Sequence, residues 1–147
     1  MALGGSVGDG VVYSGSLDDE VLRRRVAAAR AVRGAEAQVW VAVATSATED
    51  RATVRRELGP ALVAIANRAL RGDLTERAVP MELQEDVRAM HACYDYAAHG
   101  TFERPDNAEM ISDRLADHLL DQFCLVGSPD QRAATLHRLE AAGVDGS

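Results

Sequence analysis

The chain has 147 residues, a length for one domain, and its 16 basic and 23 acidic side chains leave a net charge of −7, which argues against a duplex nucleic-acid binder. Apolar residues make up 47% and charged residues 27%, as in an ordinary globule; lysine is absent, so no mechanism that needs an ammonium group is open to it. Cys93 and Cys124 form neither a disulfide framework nor a zinc pattern, no apolar run approaches ~18 residues, and the N-terminus does not read as a signal peptide, so a reducing cytoplasm is the expected setting.

Gly10 to Ser14, bounded by Asp9-Gly10 and Gly15-Ser16, predicts a buried strand. Ser16 then reads as the N-cap of a helix with Asp18, Asp19 and Glu20 in its first turn, an apolar stripe at Leu22, Val26, Ala29 and Val32, and Gly34 as its stop. Ala37 to Ala44 is apolar throughout, as a parallel strand covered on both faces would be. Ser46 to Glu49 matches a capping box for a helix reaching about residue 71, with Pro60 expected to kink or split it. Pro80 fits the first position of a helix running to His99 and closed by Gly100. Arg104-Pro105-Asp106 reads as loop, Ser112 to Asp121 as a shorter helix, and Phe123 to Val126 as a brief extended segment. Ser128, Pro129 and Gln131 spell a capped helix start, followed by Ala133, Leu136, Leu139 and Gly143, and Val144 to Ser147 resembles the opening of a further strand.

Strands alternating with helices point to parallel βα units and an α/β fold. Gly-Gly-Ser-Val-Gly-Asp-Gly precedes the first strand instead of following it, so a dinucleotide fingerprint is a poor match. A whole (β/α)8 barrel needs at least about 200 residues, more than this chain has.

Three stretches carry a resemblance: Leu3-Gly4-Gly5-Ser6-Val7-Gly8-Asp9-Gly10-Val11-Val12; the strand at Val39 to Ala44; and the tail from Ser112-Asp113-Arg114-Leu115 through Gly127-Ser128-Pro129-Asp130 to Ala141-Ala142-Gly143-Val144-Asp145. In order and spacing they resemble the luciferase-like flavin or deazaflavin oxidoreductases, nearest the methylene-tetrahydromethanopterin reductase-like subgroup. The resemblance implies the C-terminal portion of a (β/α)8 TIM-type barrel: a single incomplete domain, helix-rich, holding strands six and seven and the helices up to strand eight. It also implies a cofactor, deazaflavin coenzyme F-420 or FMN, and a small-molecule substrate or oxygen. Roughly the first five βα units, which in the family carry most of the ring site, would lie outside these residues.

Ser14, Gly15 and Ser16 sit where barrel active sites are built and offer hydroxyls and backbone donors for a phosphate or other anionic group, against the plainer reading that Ser16 merely caps a helix. Thr45 and Ser46 hold the matching place after the second strand. His91, Asp95 and His99 recur at intervals of four and could form an acid/base set, with His99 the candidate for chemistry; a helix-terminal His99 bonded to carbonyls is the plainer reading. A third metal ligand is not evident. Tyr94-Asp95-Tyr96 with His99-Gly100 resembles a subgroup segment near the barrel mouth. His118 between Asp117 and Asp121, and His137, are expected on solvated faces; Cys93, Cys124 and Trp40 are expected in cores. Arg23-Arg24-Arg25 is too short for a nucleic-acid footprint and lies at pairing distance from Asp18, Asp19 and Glu20.

The leading expectation is a segment of an oxidoreductase that moves hydride between the flavin or deazaflavin and a substrate, without turnover by itself. The alternative is a non-catalytic interaction protein whose unpaired strand edges drive self-association or complementation by a missing half. No membrane contact is expected.

Overall fold

The computed structural model describes residues 8–99 and 106–147, and Asp106 by its backbone only. The Leu3 to Val7 part of the N-terminal motif, Gly100 as a helix stop, and the Arg104-Pro105 loop lie outside the described residues.

Strand β1 (Gly10–Tyr13) is followed by helix α1 (Asp19–Arg33) and by strand β2 (Gln38–Val41), which pairs with β1 in parallel, Gly10 opposite Gln38 and Tyr13 opposite Val41. This is the βαβ unit that the sequence predicts. The cap of α1 is Asp18 and not Ser16: its carboxylate accepts the N–H groups of Glu20 and Val21, each at 3.0 Å. The start moves because Leu17 is buried and donates its N–H to the Gln122 carbonyl at 2.6 Å, which holds residue 17 outside the helix. Gly34, at φ 91, closes α1 as expected. Val21, Leu22, Val26 and Ala29 form its buried stripe, while Val32 is exposed.

The predicted strand over 37–44 divides. After β2 the chain breaks step, and Ala44–Thr45 forms β3, which pairs in parallel with β4 (Cys124–Leu125) in a second small sheet. Nor is β2 covered on both faces. Val39 and Val41 are buried beneath the helices, whereas Trp40 is 44% exposed and its register partner Val12 is 73% exposed. Period-two alternation explains this: one sheet face meets helices, and on the other, Val12 and part of the Trp40 ring stay exposed among the described residues. Trp40 is therefore not a core residue. On the free edge of β2 the tail adds a third strand position, with Asp145 N–H donating to Val39, Val41 N–H donating to Gly146, and a parallel bridge from Gly146 to Trp40. Of the further strand opening expected at 144–147, the structure shows a single bridge at Gly146. The Trp40 ring lies so close to Gly146 that a β-carbon there would collide with it.

Helix α2 (Arg51–Ala69) is capped by Asp50, which accepts from Thr53, and not by the Ser46 box; the buried Ser46 hydroxyl donates to Glu57 at 2.7 Å instead. Pro60 does not split it, and Gly59 and Pro60 are both buried. A β-carbon at Gly59 would stand 3.3 Å from that of Ala108, so the small residue admits helix α4 (Asp106–Glu109). Pro80 precedes a 3-10 turn (Met81–Leu83) that leads into α3 (Gln84–Cys93), and a second 3-10 turn covers Tyr96–Ala98. The expected helix to His99 thus stops six residues early. Asn107 accounts for the break: its side chain accepts the Asp95 N–H and donates to the Asp95 carbonyl, both at 2.8 Å, occupying groups that a helix would need.

Helix α5 (Asp113–Phe123), capped by Ser112, runs two residues beyond the expected end, and α6 (Pro129–Ala141) carries the predicted capping box between Ser128 and Gln131. Of its expected stripe only Leu139 is buried; Leu136 is 40% exposed. Two cores result. Leu17, Leu22, Val26, Val39, Val41 and Leu139 lie between the sheet and α1 and α6, while Leu62, Val63, Leu115, Leu119, Leu120 and Phe123 fill the bundle of α2 to α5. Each fully buried aliphatic side chain contributes roughly 1.5–3 kcal/mol, so the bundle is a stable body beside the sheet.

Candidate functional site

Parallel pairing brings the C-terminal ends of β1 and β2 to one side, the side where α/β folds build sites. The loop after β1 carries the three residues expected to hold an anion. Ser14 is partly exposed, and its carbonyl accepts from Arg68 at 3.5 Å. Gly15 is buried under the folded-over Tyr13 ring, which leaves no space for a β-carbon. Ser16 is 4% exposed, and its hydroxyl oxygen accepts the Asp18 N–H at 3.1 Å. Ser14 is thus the side chain of the three open to a ligand, and Gly15 and Ser16 shape the loop. Thr45 donates to the Leu125 carbonyl at 2.7 Å and so ties β3 to β4.

The Arg68 contact joins this loop to the last turn of α2. One turn on, Arg71 donates to the Asn67 carbonyl and side chain at 3.0 and 2.8 Å and to the Tyr96 hydroxyl at 3.1 Å. Tyr96 packs edge-on against Tyr94, ring centres 5.1 Å apart, and the Tyr94 hydroxyl shares a 2.6 Å hydrogen bond with His99 Nδ1. Burial, with Tyr96 alongside, raises the Tyr94 pKa. The bond to Tyr94 fixes the orientation of the His99 ring. The result is a line of groups from Ser14 through Arg68, Arg71, Tyr96 and Tyr94 to His99: two guanidiniums, exposed aromatic surface and an oriented imidazole. Such a set suits a planar ligand with an anionic end.

His91, Asp95 and His99 do not align, because α3 ends at Cys93; His91 lies half-buried, its proton affinity lowered by burial and by Arg71. His118, expected in solvent, is also half-buried, and desolvation lowers its pKa although Gln122 and nearby acids oppose that. Asp117 and Asp121 pair with Arg51, at 3.2 and 2.9 Å, and Asp117 also pairs with Arg55, at 2.9 Å. His137 is exposed, as expected. Cys124 is buried, which pushes its thiol up to about 12, whereas Cys93 is exposed and not a core residue. Arg23 and Arg24 reach Asp19 and Glu20 at 3.7 and 4.0 Å, but Arg25 turns to the Tyr13 hydroxyl.

Sequence reasoning missed Tyr13, Asn67, Arg68 and Arg71. Tyr13 reads as an ordinary strand residue, Asn67 and Arg68 as ordinary residues of α2, and Arg71 as a residue past its end; the contacts of Arg68 with the Ser14 carbonyl and of Arg71 with Asn67 and Tyr96 give them a role.

Among the described residues no helix is long and apolar enough to cross a membrane. The chain matches the family described as luciferase-like monooxygenase over residues 1–146. Among solved structures it is similar to a coenzyme F-420-dependent tetrahydromethanopterin reductase of Methanopyrus kandleri, with TM-score 0.62 and 14% identity. That match covers 99% of this chain and 40% of the reductase, so the chain spans less than half the length of its structural neighbour. No curated protein matches. The parallel βα order, the helix-rich layout and the family match agree with a portion of a TIM-type barrel, and the chain belongs to the luciferase-like monooxygenase family.

Proposed function

We propose that this chain forms one wall of the pocket of a luciferase-like oxidoreductase that transfers hydride between a deazaflavin, coenzyme F-420, or FMN and an organic substrate or oxygen, in the cytoplasm. The observation that carries this reading is the set of groups that begins with Ser14, at the C-terminal end of β1, and continues through Arg68 and Arg71 at the end of α2 to Tyr96, Tyr94 and His99 after α3. The cofactor, when bound, supplies the hydride chemistry. The residues present fit part of such a group: Arg68 and Arg71, which have no carboxylate partner among the described residues, suit its anionic end together with the Ser14 hydroxyl, and Tyr96 offers an exposed ring. In this reading His99, oriented by Tyr94, holds or passes a proton.

The exposed Val12 and Trp40 support the further point that the pocket is completed by other barrel strands packing on this sheet face. The test is an anaerobic spectroscopic titration with coenzyme F-420 and with FMN, followed by steady-state assay. The 147 residues alone are expected to give no turnover; joined to further βα units of a family member they are expected to show it, with loss on His99→Ala. Turnover by the 147 residues alone refutes the reading, as does full activity of His99→Ala.

A second reading rests on the same open face and on the unpaired edge of β1: a non-catalytic protein that self-associates. Size-exclusion chromatography with light scattering separates the two, because a concentration-independent monomer that unfolds cooperatively excludes self-association.

A further inference from the structure

On the opposite flank of the Ser14 loop, α1 and the turn over residues 72–79 enclose a cavity of about 180 Å³ lined by Val21, Arg24, Arg25, Glu76 and Arg77. Val21 is buried at 3% exposure, and Arg25 follows it by one helical turn, so its side chain is carried inward onto the same face. Arg24 donates to the Glu76 carbonyl at 2.7 Å and clamps the turn to α1. From the other side, Gln122 donates to the Arg77 carbonyl at 2.7 Å. Ala78 sits at φ 57, a conformation unfavourable for a side chain with a β-carbon, and the Gln122 contact beside it fixes the direction of Arg77.

Arg25 and Arg77 both line this cavity, are half-buried, and have no carboxylate within 4.0 Å among the described residues; Arg77 donates from Nε to the Arg71 carbonyl at 3.2 Å. Elsewhere the arginines of this acidic protein pair readily: Arg30 with Asp145, Arg55 with Asp113 and Asp117, Arg114 with Asp86, and Arg138 with Asp19. Two partly desolvated guanidiniums lining one cavity repel each other, and their bonds, from Arg77 Nε to the Arg71 carbonyl and from Arg25 to the Tyr13 hydroxyl, neutralise neither charge, a cost that a doubly charged oxyanion removes by accepting from both.

We propose that the corner formed by Arg24, Arg25 and Arg77 binds a phosphate-sized dianion, a phosphate group that is either free or carried on a larger ligand. Arg25 and Arg77 supply the guanidiniums, and Arg24 holds the turn in place. Glu76 borders the cavity with a charge of the wrong sign and weakens the site. The inference does not depend on the redox reading, because every group in it is a described residue of this chain.

The test is calorimetric titration of the 147-residue protein with inorganic phosphate at constant ionic strength, with circular dichroism on each variant. Arg25→Gln and Arg77→Gln are each expected to weaken phosphate binding about tenfold with the fold intact. Glu76→Gln, an exposed position, is expected to tighten it about threefold. Displacement of phosphate by FMN, with no displacement by riboflavin, assigns the site to a cofactor phosphate; phosphate binding that FMN leaves untouched assigns it to a separate phosphorylated ligand. Absence of phosphate binding at millimolar concentration overturns the proposal. So does binding that both folded arginine variants retain unchanged, or a Glu76→Gln variant that binds less tightly.

Discussion

Replacing Asn107 with Ala tests how the aromatic and histidine cluster is held. Asn107 is 5% exposed and spends its amide on the backbone of Asp95, accepting the N–H and donating to the carbonyl at 2.8 Å each. Removing two such bonds, each worth about 0.5–1.5 kcal/mol net, and leaving partly buried backbone groups to find water, costs about 2 kcal/mol. For a chain of this size that lowers Tm by roughly 6 °C. Urea unfolding and calorimetry measure the loss. Since Asp95 separates Tyr94 from Tyr96, the same substitution frees the segment to continue α3, and the His99 imidazole resonances are expected to lose the signature of their bond to Tyr94. Asn107→Asp keeps an acceptor for the Asp95 N–H but sets a buried carboxylate oxygen against the Asp95 carbonyl, and should cost at least as much. A loss under about 0.5 kcal/mol with His99 resonances unchanged refutes the assignment of the helix break to Asn107.

Leu119→Ala, at a fully buried site in the bundle core, is expected to cost about 2–5 kcal/mol, whereas Val12→Thr on the open sheet face should cost less than about 0.5 kcal/mol; equal losses in chemical denaturation contradict the two environments. Burial lowers the pKa of His91 and of His118 below that of an unfolded chain, so the folded form resists protonation. Their contribution is present above the unfolded pKa, near about 6.5, and is lost as pH falls through the lower folded values, so stability declines on acidification and His118→Asn flattens that decline. Native protein is expected to react with a thiol reagent at Cys93 while Cys124 stays protected until unfolding; rapid modification of both refutes the burial of Cys124. Gly146→Val is expected to detach the tail from β2, seen as faster amide exchange at Val41, because the Trp40 ring fills the space that the new side chain needs.

The elements that local grammar specifies were legible in the sequence. Ser128, Pro129 and Gln131 carry their helix start in three adjacent residues, and Gly34 its helix stop in one. Errors arose where a distant partner decides. Leu17 gives its N–H to Gln122, which moves the cap of α1 from Ser16 to Asp18, and Asn107 ends α3 from outside the helix. Val39, Trp40 and Val41 are equally apolar, so their sequence hides that the strand is covered on one face only. The candidate site was half visible. Ser14 and His99 stood out by residue type and position, but Arg68 and Arg71, which join them, gain meaning only from their contacts with the Ser14 carbonyl and with Tyr96.

The central claim, a sheet with one face left for other strands, is tested most directly by acrylamide quenching of Trp40, the single tryptophan, across a dilution series. Ready quenching is expected in dilute protein, with protection as concentration rises or as further βα units of a family member are added. Emission that is shielded to the same degree at every concentration, in a monomer, contradicts it.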